Sequence, residues 1–364
     1  MISPIQNEYL PDFVSPPGET LLEMLEERGM SQAELAERTG RPKKTINEII
    51  KGKATITPAT ALQLERVLGA PANFWNNREQ QYRESLARQA ERDSLEGQVG
   101  WLNQFPIKDM VEFGWIISLE DPVDLVGEVL NFFGIAAPTQ WQSIWESGVA
   151  FRQSPAFESD PFAVSAWLRK GEIDAHQLDC APYDADRFIE ALEVVRRLTT
   201  QPPDIFQPET MRVCAQAGVA MAFVPELPKV RVSGATRWLT PNKALIQVSL
   251  RYKTDDQLWF SFFHEAGHIL KHGKRDIFIE CGDAQNDKEE EAHRFAADFL
   301  IPPREYRLFT TRTGYYSKAE IRAFAAQLGI APGIVVGRLQ HDGQLPPQNC
   351  NDLKQSLQWV IGQN

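Results

Sequence analysis

Apolar positions recur at helical spacing through the first hundred residues. Leu21, Leu22 and Leu25 share one stripe within Glu19–Arg28, and Gly29 follows as a stop. The stretch SQAE at 31–34 has the spacing of a capping box, in which the Ser31 hydroxyl accepts an early amide and Glu34 reaches back. The helix it opens ends near Gly40. Pro42 suits the first turn of the next helix, which turns Ile46, Ile49 and Ile50 inward. Thr57-Pro58 opens another, stopped at Gly69. Pro71 opens one more, running through the charged stretch Asn76–Glu96 to a boundary at Gly97 and Gly100.

Residues 101–215 read as mostly helical, near 107–113, 122–133, 161–170, 184–198 and 208–217, with Trp101, Phe132 and Trp141 as core candidates. TTQPPDIFQPET (199–210) reads as a loop. After residue 215 the pattern changes. GVAMAFVPEL is β-rich, and VRVSGATRWL and ALIQVSLR flank the turn TPNK, which predicts a hairpin. A helix follows over 256–271, ending at Gly273. Ala292, Phe295, Ala296 and Phe299 then form a stripe closed by Pro302-Pro303. Ser317 and Glu320 form a further capping box, and PGIVVGRLQHDG reads as a closing helix. The fold class expected is multidomain and mainly α with a small β-sheet. It comprises an N-terminal helix-turn-helix bundle (1–98), a helical connector (99–214) and a C-terminal α+β zincin-like domain (215–364).

Composition adjusts this reading only in places. A chain of 364 residues has room for two or three cores. Apolar runs such as AGVAMAFV (217–224) are too short to span a bilayer, so no membrane is expected. The N-terminus lacks a secretory pattern and the four cysteines form no CxxC pair, which points to the cytoplasm. The net charge of −11 argues against nucleic acid, but the local distribution reverses that. Residues 41–53, RPKKTINEIIKGK, hold five basic residues and one acid. In a helix-turn-helix the second helix of the pair enters the major groove. On that reading Lys43, Lys44, Thr45, Asn47 and Lys51, with Arg41 before them, meet double-stranded DNA. The lysines serve phosphate, and Thr45 and Asn47 can read base edges. The alternative is a small bundle with a solvated basic face.

The sharpest chemistry lies in FSFFHEAGHILKHG (260–273). Residues four apart share a helix face, so His264 and His268 can point at one ion. Glu265 is rotated off that line and can hold a water as general base. Two neutral imidazoles and a carboxylate suit Zn2+, one per chain. The third ligand must come from elsewhere, and KEEEAHRFAADFLIPP (288–303) offers three acids. Glu290 falls opposite the apolar stripe, and Glu289 and Glu291 flank it almost equally, so periodicity leaves these two open. A metal-free core helix, and a solvated first turn for the acids, are the bland alternatives.

Residues 18–75 resemble the HigA-type antitoxin branch of the XRE helix-turn-helix regulators, with Ala36, Gly40 and Ile46 on the family's spacing and ITPATALQLERVLGAPANFW its most specific stretch. Residues 215–345 resemble the ImmA/IrrE-type zinc metallopeptidase domains through the helix just quoted, EEEAHRFAADFLIPP and IRAFAAQLGIAPGIVVGRLQHDG. The first resemblance implies a homodimer on a palindromic operator. The second implies His264, His268 and Glu289 as ligands and Glu265 as base, since the family's ExxA maps its glutamate to Glu289. His293 stands where the family often has Asn or Asp, and is expected to support the ligands from behind or to compete with them. His272, four beyond His268, could extend the row of histidines, but is expected near the helix end, facing solvent or the helix dipole. Arg251, Tyr252, Tyr315 and Tyr316 are the candidates for stabilising an oxyanion. Together these imply a DNA-binding regulator or antitoxin whose zinc peptidase cleaves a regulatory protein, either a repressor or a toxin partner. The alternative is a non-catalytic repressor whose HExxH domain is a sensor or binding platform.

Overall fold

The computed structural model describes residues 14–146, 159–274, 277–280, 287–312 and 316–360. The chain divides into two compact units, residues 1–98 and 99–364.

The first unit is all helical: α1 (Pro17–Glu27), α2 (Gln32–Thr39), α3 (Lys43–Ile50), α4 (Pro58–Leu68) and α5 (Ala72–Glu96). Its core is one cluster that includes Leu21, Leu25, Leu35, Ile46, Ile49, Leu64 and Trp75. Large apolar side chains buried this completely contribute roughly 1.5–3 kcal/mol each. The capping box expected at Ser31 is half made. Ser31 accepts the Glu34 amide at 3.1 Å, but the Glu34 carboxylate turns forward to Arg38. Gly40 ends α2 with φ +67°, a left-handed conformation that glycine adopts without a steric penalty.

The second unit begins with α6 (Ile107–Glu112), α7 (Pro122–Phe133), α8 (Pro138–Trp141), α9 (Pro161–Gln177), α10 (Ala185–Leu198) and α11 (Pro203–Gln216). The loop expected over 199–210 is shorter than its prolines suggest. Pro203 stands in the first turn of α11, where its missing N–H is harmless, and Pro208 lies inside the helix at the loss of one ladder bond. The sheet follows as β1 (Val219–Phe223), β2 (Gly234–Thr240) and β3 (Lys243–Val248). Then come α12 (Asp255–Lys271), β4 (Phe278–Glu280), α13 (Asp287–Leu300), α14 (Pro303–Arg312), α15 (Lys318–Leu328) and α16 (Pro332–His341).

The strand order is β1-β3-β2-β4. The expected hairpin is present: β2 runs antiparallel to β3, with Trp238 opposite Ala244. β1 is parallel to β3, and β4 adds antiparallel to β2 with Gly234 opposite Glu280. Residues of α10 and α11, including Phe188, Leu192, Phe206 and Val213, share one core with the strands and with Trp259, Phe262 and Phe263 of α12. The helical segment before the sheet therefore helps build the domain that holds the histidine helix. Among the described residues, no single helix is long and apolar enough to cross a membrane.

Candidate metal centre and nucleic-acid interface

Helix α12 carries apolar residues on nearly every side. Leu258, Trp259, Phe262, Phe263, Ala266 and Ile269 are all buried in the domain core. This forces its polar residues inward too: His264 and Glu265 have no exposure, and His268 is 1% exposed. α13 packs along α12, and the tight contact is made possible by Gly267. A β-carbon there would lie 3.1 Å from the Phe295 ring and 3.2 Å from Cα of Ala292. That approach brings Glu289, in the first turn of α13, over the two histidines.

The result is a triangle of donor atoms. Nε2 of His264 and Nε2 of His268 are 3.0 Å apart. Oε2 of Glu289 lies 3.0 Å from the first and 3.5 Å from the second. Donors at zinc-bond lengths and tetrahedral angles stand about 3.3 Å apart, so the triangle has the dimensions of such a site. Two ring nitrogens and a carboxylate oxygen converging in a buried space need a positive charge among them, which a proton on a ring nitrogen or a cation can supply. Of the two acids that periodicity left open, Glu289 is buried and faces the triangle, while Glu291 is exposed on its other flank.

The electrostatics follow from this packing. Burial works against charge on His264, but Glu289, then Glu280 and Glu265, hold its protonation up to about 9. Burial likewise opposes charge on Glu289, yet hydrogen bonds from His264 and His268 pull it down to about 2. Burial lowers His268, and burial lifts the Glu265 carboxyl well above the usual carboxylate range, with Glu280 and Glu289 adding to the rise and His264 and Thr236 opposing it. Among the described residues, neither buried Glu265 oxygen has a hydrogen-bond partner. A carboxyl raised this far holds its own proton; a cation among the neighbouring donors would favour its ionised form, the form in which it can accept a proton from a molecule that enters.

His293 stays out of the triangle. Its Nδ1 contacts the Glu289 carbonyl at 2.7 Å, and its ring meets His264 edge-on at 4.4 Å between centroids. His272 differs from the expectation of a solvent-facing residue. Its side chain is 4% exposed and its Nδ1 lies 2.9 Å from Nδ1 of His268. Among the oxyanion candidates, Arg251 lies over the Tyr252 ring and Tyr316 donates to Gln344; Tyr315 lies outside the described residues.

Two residues at the site were missed. Gly234 on β2 lies so close to Glu265 that any side chain would meet its carboxyl. A lone glycine inside a strand pattern is a signal for such close approach. Glu280 on β4 pairs with Gly234, acts electrostatically on both His264 and Glu265, and has one buried oxygen without a partner. Its strand is only three residues long, too short for alternation to announce it.

In the first unit, α3 presents Lys43, Lys44 and Asn47 exposed, with Lys51 exposed just after it. Lys44 is 85% exposed and 3.8 Å from Glu48. Thr45 and Arg41 are half-buried, and Arg41 donates to Gln63 of α4 at 2.7 Å. The position of α3 is fixed from behind. The buried Glu79 of α5 accepts the Ile56 amide at 3.1 Å and Arg83 at 2.7 Å, and Arg83 also donates to the Gly52 carbonyl. At its other side Gly18 admits the end of α3, since a β-carbon there would lie 2.3 Å from the Ile49 carbonyl.

Comparison with known proteins finds a family match in each unit. The helix-turn-helix family matches residues 21–75, and the IrrE N-terminal-like domain of the peptidase families matches residues 230–340. No curated protein matches the chain. Solved structures do, and three of them each cover 23% of this chain with a TM-score of 0.22. An addiction module antidote protein of a HigA family from Coxiella burnetii is 29% identical, with 92% of its chain covered. The Pseudomonas aeruginosa antitoxin HigA with its higBA promoter is 30% identical, with 94% covered. A Pseudomonas aeruginosa protein in complex with a 28bp operator DNA is 29% identical, with 94% covered. This chain thus joins a DNA-binding helix-turn-helix module of the XRE type to an IrrE/ImmA-like peptidase domain.

Proposed function

We propose that the protein is a cytoplasmic transcriptional regulator of the antitoxin kind, acting as a homodimer on its operator, whose second unit is a zinc-dependent endopeptidase that cleaves a regulatory protein. The observation that carries the catalytic half is the buried triangle of His264, His268 and Glu289, with donors 3.0–3.5 Å apart, beside the partnerless Glu265 carboxyl. The donor set of two imidazoles and one carboxylate is one that zinc takes in peptidases, leaving a position open.

His264, His268 and Glu289 would hold the ion, which when bound supplies a Lewis acid for a peptide carbonyl and for water. Glu265 takes the proton of the attacking water at a carboxylate oxygen and delivers it to the departing amide nitrogen. Its burial against Gly234 keeps it basic enough to accept that proton once a cation in the triangle favours its ionised form. His293 steadies the first turn of α13 through the Glu289 carbonyl, and so keeps Glu289 over the histidines.

In the first unit Lys43, Lys44 and Lys51 meet phosphate, while Asn47 and Thr45 reach base edges from α3 and Arg41 lies at the groove's rim. The decisive experiment compares new protein N-termini in cells producing the wild type or Glu265→Gln. Cleavage products that vanish in the variant, while zinc content and operator binding persist, support the reading. The same products in both strains would refute catalysis by Glu265, and their absence from both would leave the second unit a binding platform.

A further inference from the structure

His268 uses both edges of its ring. Nε2 faces the triangle, 3.0 Å from His264 and 3.5 Å from Glu289. Nδ1 faces the other way, 2.9 Å from Nδ1 of His272. A neutral imidazole has one N–H and one lone pair. If the Nε2 lone pair is to serve an ion, the hydrogen must sit on Nδ1, where among the described residues the hydrogen-bond partner is Nδ1 of His272. His272 must then accept at Nδ1 and carry its own hydrogen on Nε2. Oε2 of Glu291 lies 3.4 Å from that nitrogen, at ion-pair distance though not yet aligned as a hydrogen bond.

The backbone explains how His272 comes to be there. It is the first residue past α12, with extended φ −114° and ψ 166°, yet its amide still bonds the His268 carbonyl at 3.0 Å. The chain leaves the helix while the side chain turns back along the histidine row. Phe278 of β4 then covers both rings, stacking on His268 at 4.0 Å and lying 5.2 Å from His272 between centroids. His272 cannot be a fourth donor to the triangle, because it approaches the edge of His268 that points away from it. Nδ1 of His264, by contrast, has no hydrogen-bond partner. Among the described residues, His268 has an outer partner and His264 has none.

We propose that His272, backed by Glu291, is the positioning residue of the metal site: it accepts the Nδ1–H of His268 and so fixes the tautomer that turns the Nε2 lone pair to the ion. This rests on the reading of the triangle as a metal site. Outer partners of this kind typically change metal affinity by about 10–100-fold.

The test measures zinc dissociation constants of the full chain by competition with a chromophoric chelator. His272→Leu removes the acceptor, His272→Asn restores a carbonyl oxygen at the place of Nδ1, and Glu291→Ala acts from the exposed surface without disturbing the core. We expect His272→Leu to bind zinc about 10–100-fold more weakly, His272→Asn to recover to within about threefold of the wild type, and Glu291→Ala to fall between them. Wild-type affinity in His272→Leu, or equal weakening in the Leu and Asn variants, would overturn the proposal while leaving the metal site intact. A wild type that binds no more zinc than His264→Ala would overturn the site itself and this inference with it.

Discussion

Gly234 and Glu265 share one space: a β-carbon built on Gly234 would lie 2.7 Å from Oε1 of Glu265 and 2.8 Å from its Cγ. β2 can therefore pass over the histidine helix only where it has no side chain, and Glu265 fills the notch. Gly234→Ala must push the carboxyl aside. A displacement of about 1 Å at a reacting group can cost a hundredfold in rate. We expect proteolysis to fall by about that factor with zinc affinity within threefold of wild type, read from single-turnover cleavage beside metal titration. Full activity in the alanine variant would show that Glu265 does not need this seat.

Removing the metal should act on one unit only. Each unit has its own apolar core, and the triangle belongs wholly to the second. Ligand at 100 times its dissociation constant stabilises the folded state by about 2.7 kcal/mol. For a unit of this size that corresponds to roughly 5–10 °C. Calorimetry with and without a chelator should show the transition of the second unit shifting and that of the helix-turn-helix unit staying in place. A shift of both would contradict this separation.

Asp255 gives the stability a definable pH dependence. Burial lifts its carboxyl from 3.8 to about 6, although the Gln355 and Asp256 amides both donate to it. The folded state thus holds the proton more tightly than the unfolded chain. Stability from this group is full below pH 4, declines between about 4 and 6, and is level above that. Asp255→Asn keeps the acceptor oxygen and removes the charge. It should flatten that decline and gain roughly 1–2 kcal/mol over wild type between pH 4 and pH 7.5, measured by denaturant midpoints at both values. An unchanged difference between the two pH values would disprove the assignment.

The DNA interface separates affinity from sequence reading. Lys44→Ala should weaken binding to all duplexes alike and lower the slope of log K against log salt by about 1. Asn47→Ala should cost about 1–3 kcal/mol at one base pair and relax preference there. Both are measured on an operator obtained by in vitro selection and on its single-pair variants. Arg41→Ala should change less, because its guanidinium is already held by Gln63. Sequence preference unaltered by Asn47→Ala would remove it from the reading face.

Much of this architecture was legible in the chain because its causes are local. Helix ends follow from Gly40 and Gly69, each with a left-handed φ, from the Ser317–Glu320 box, and from prolines in first turns. The spacing of His264 and His268 puts both rings on one face of any helix. The loop expectation at 199–210 failed for an equally local reason, since Pro203 starts a helix rather than preventing one.

By itself the sequence determined what repeats along one element: which residues form α2 and α3, which histidines align, and where a hairpin turns. Only the tertiary structure decided what meets across elements. Periodicity left Glu289 and Glu291 open, and the family resemblance implied Glu289; the packing shows why, because α13 crosses α12 so closely at Gly267 that a β-carbon there would lie 3.1 Å from the Phe295 ring and 3.2 Å from Cα of Ala292. Glu280 and Gly234 join the site because β4 pairs with β2, and His272 joins because the chain bends just after α12. Helical periodicity fixes an angle about one axis. It carries no information on how two axes cross, and that crossing sets the distances on which a metal site or a proton transfer depends.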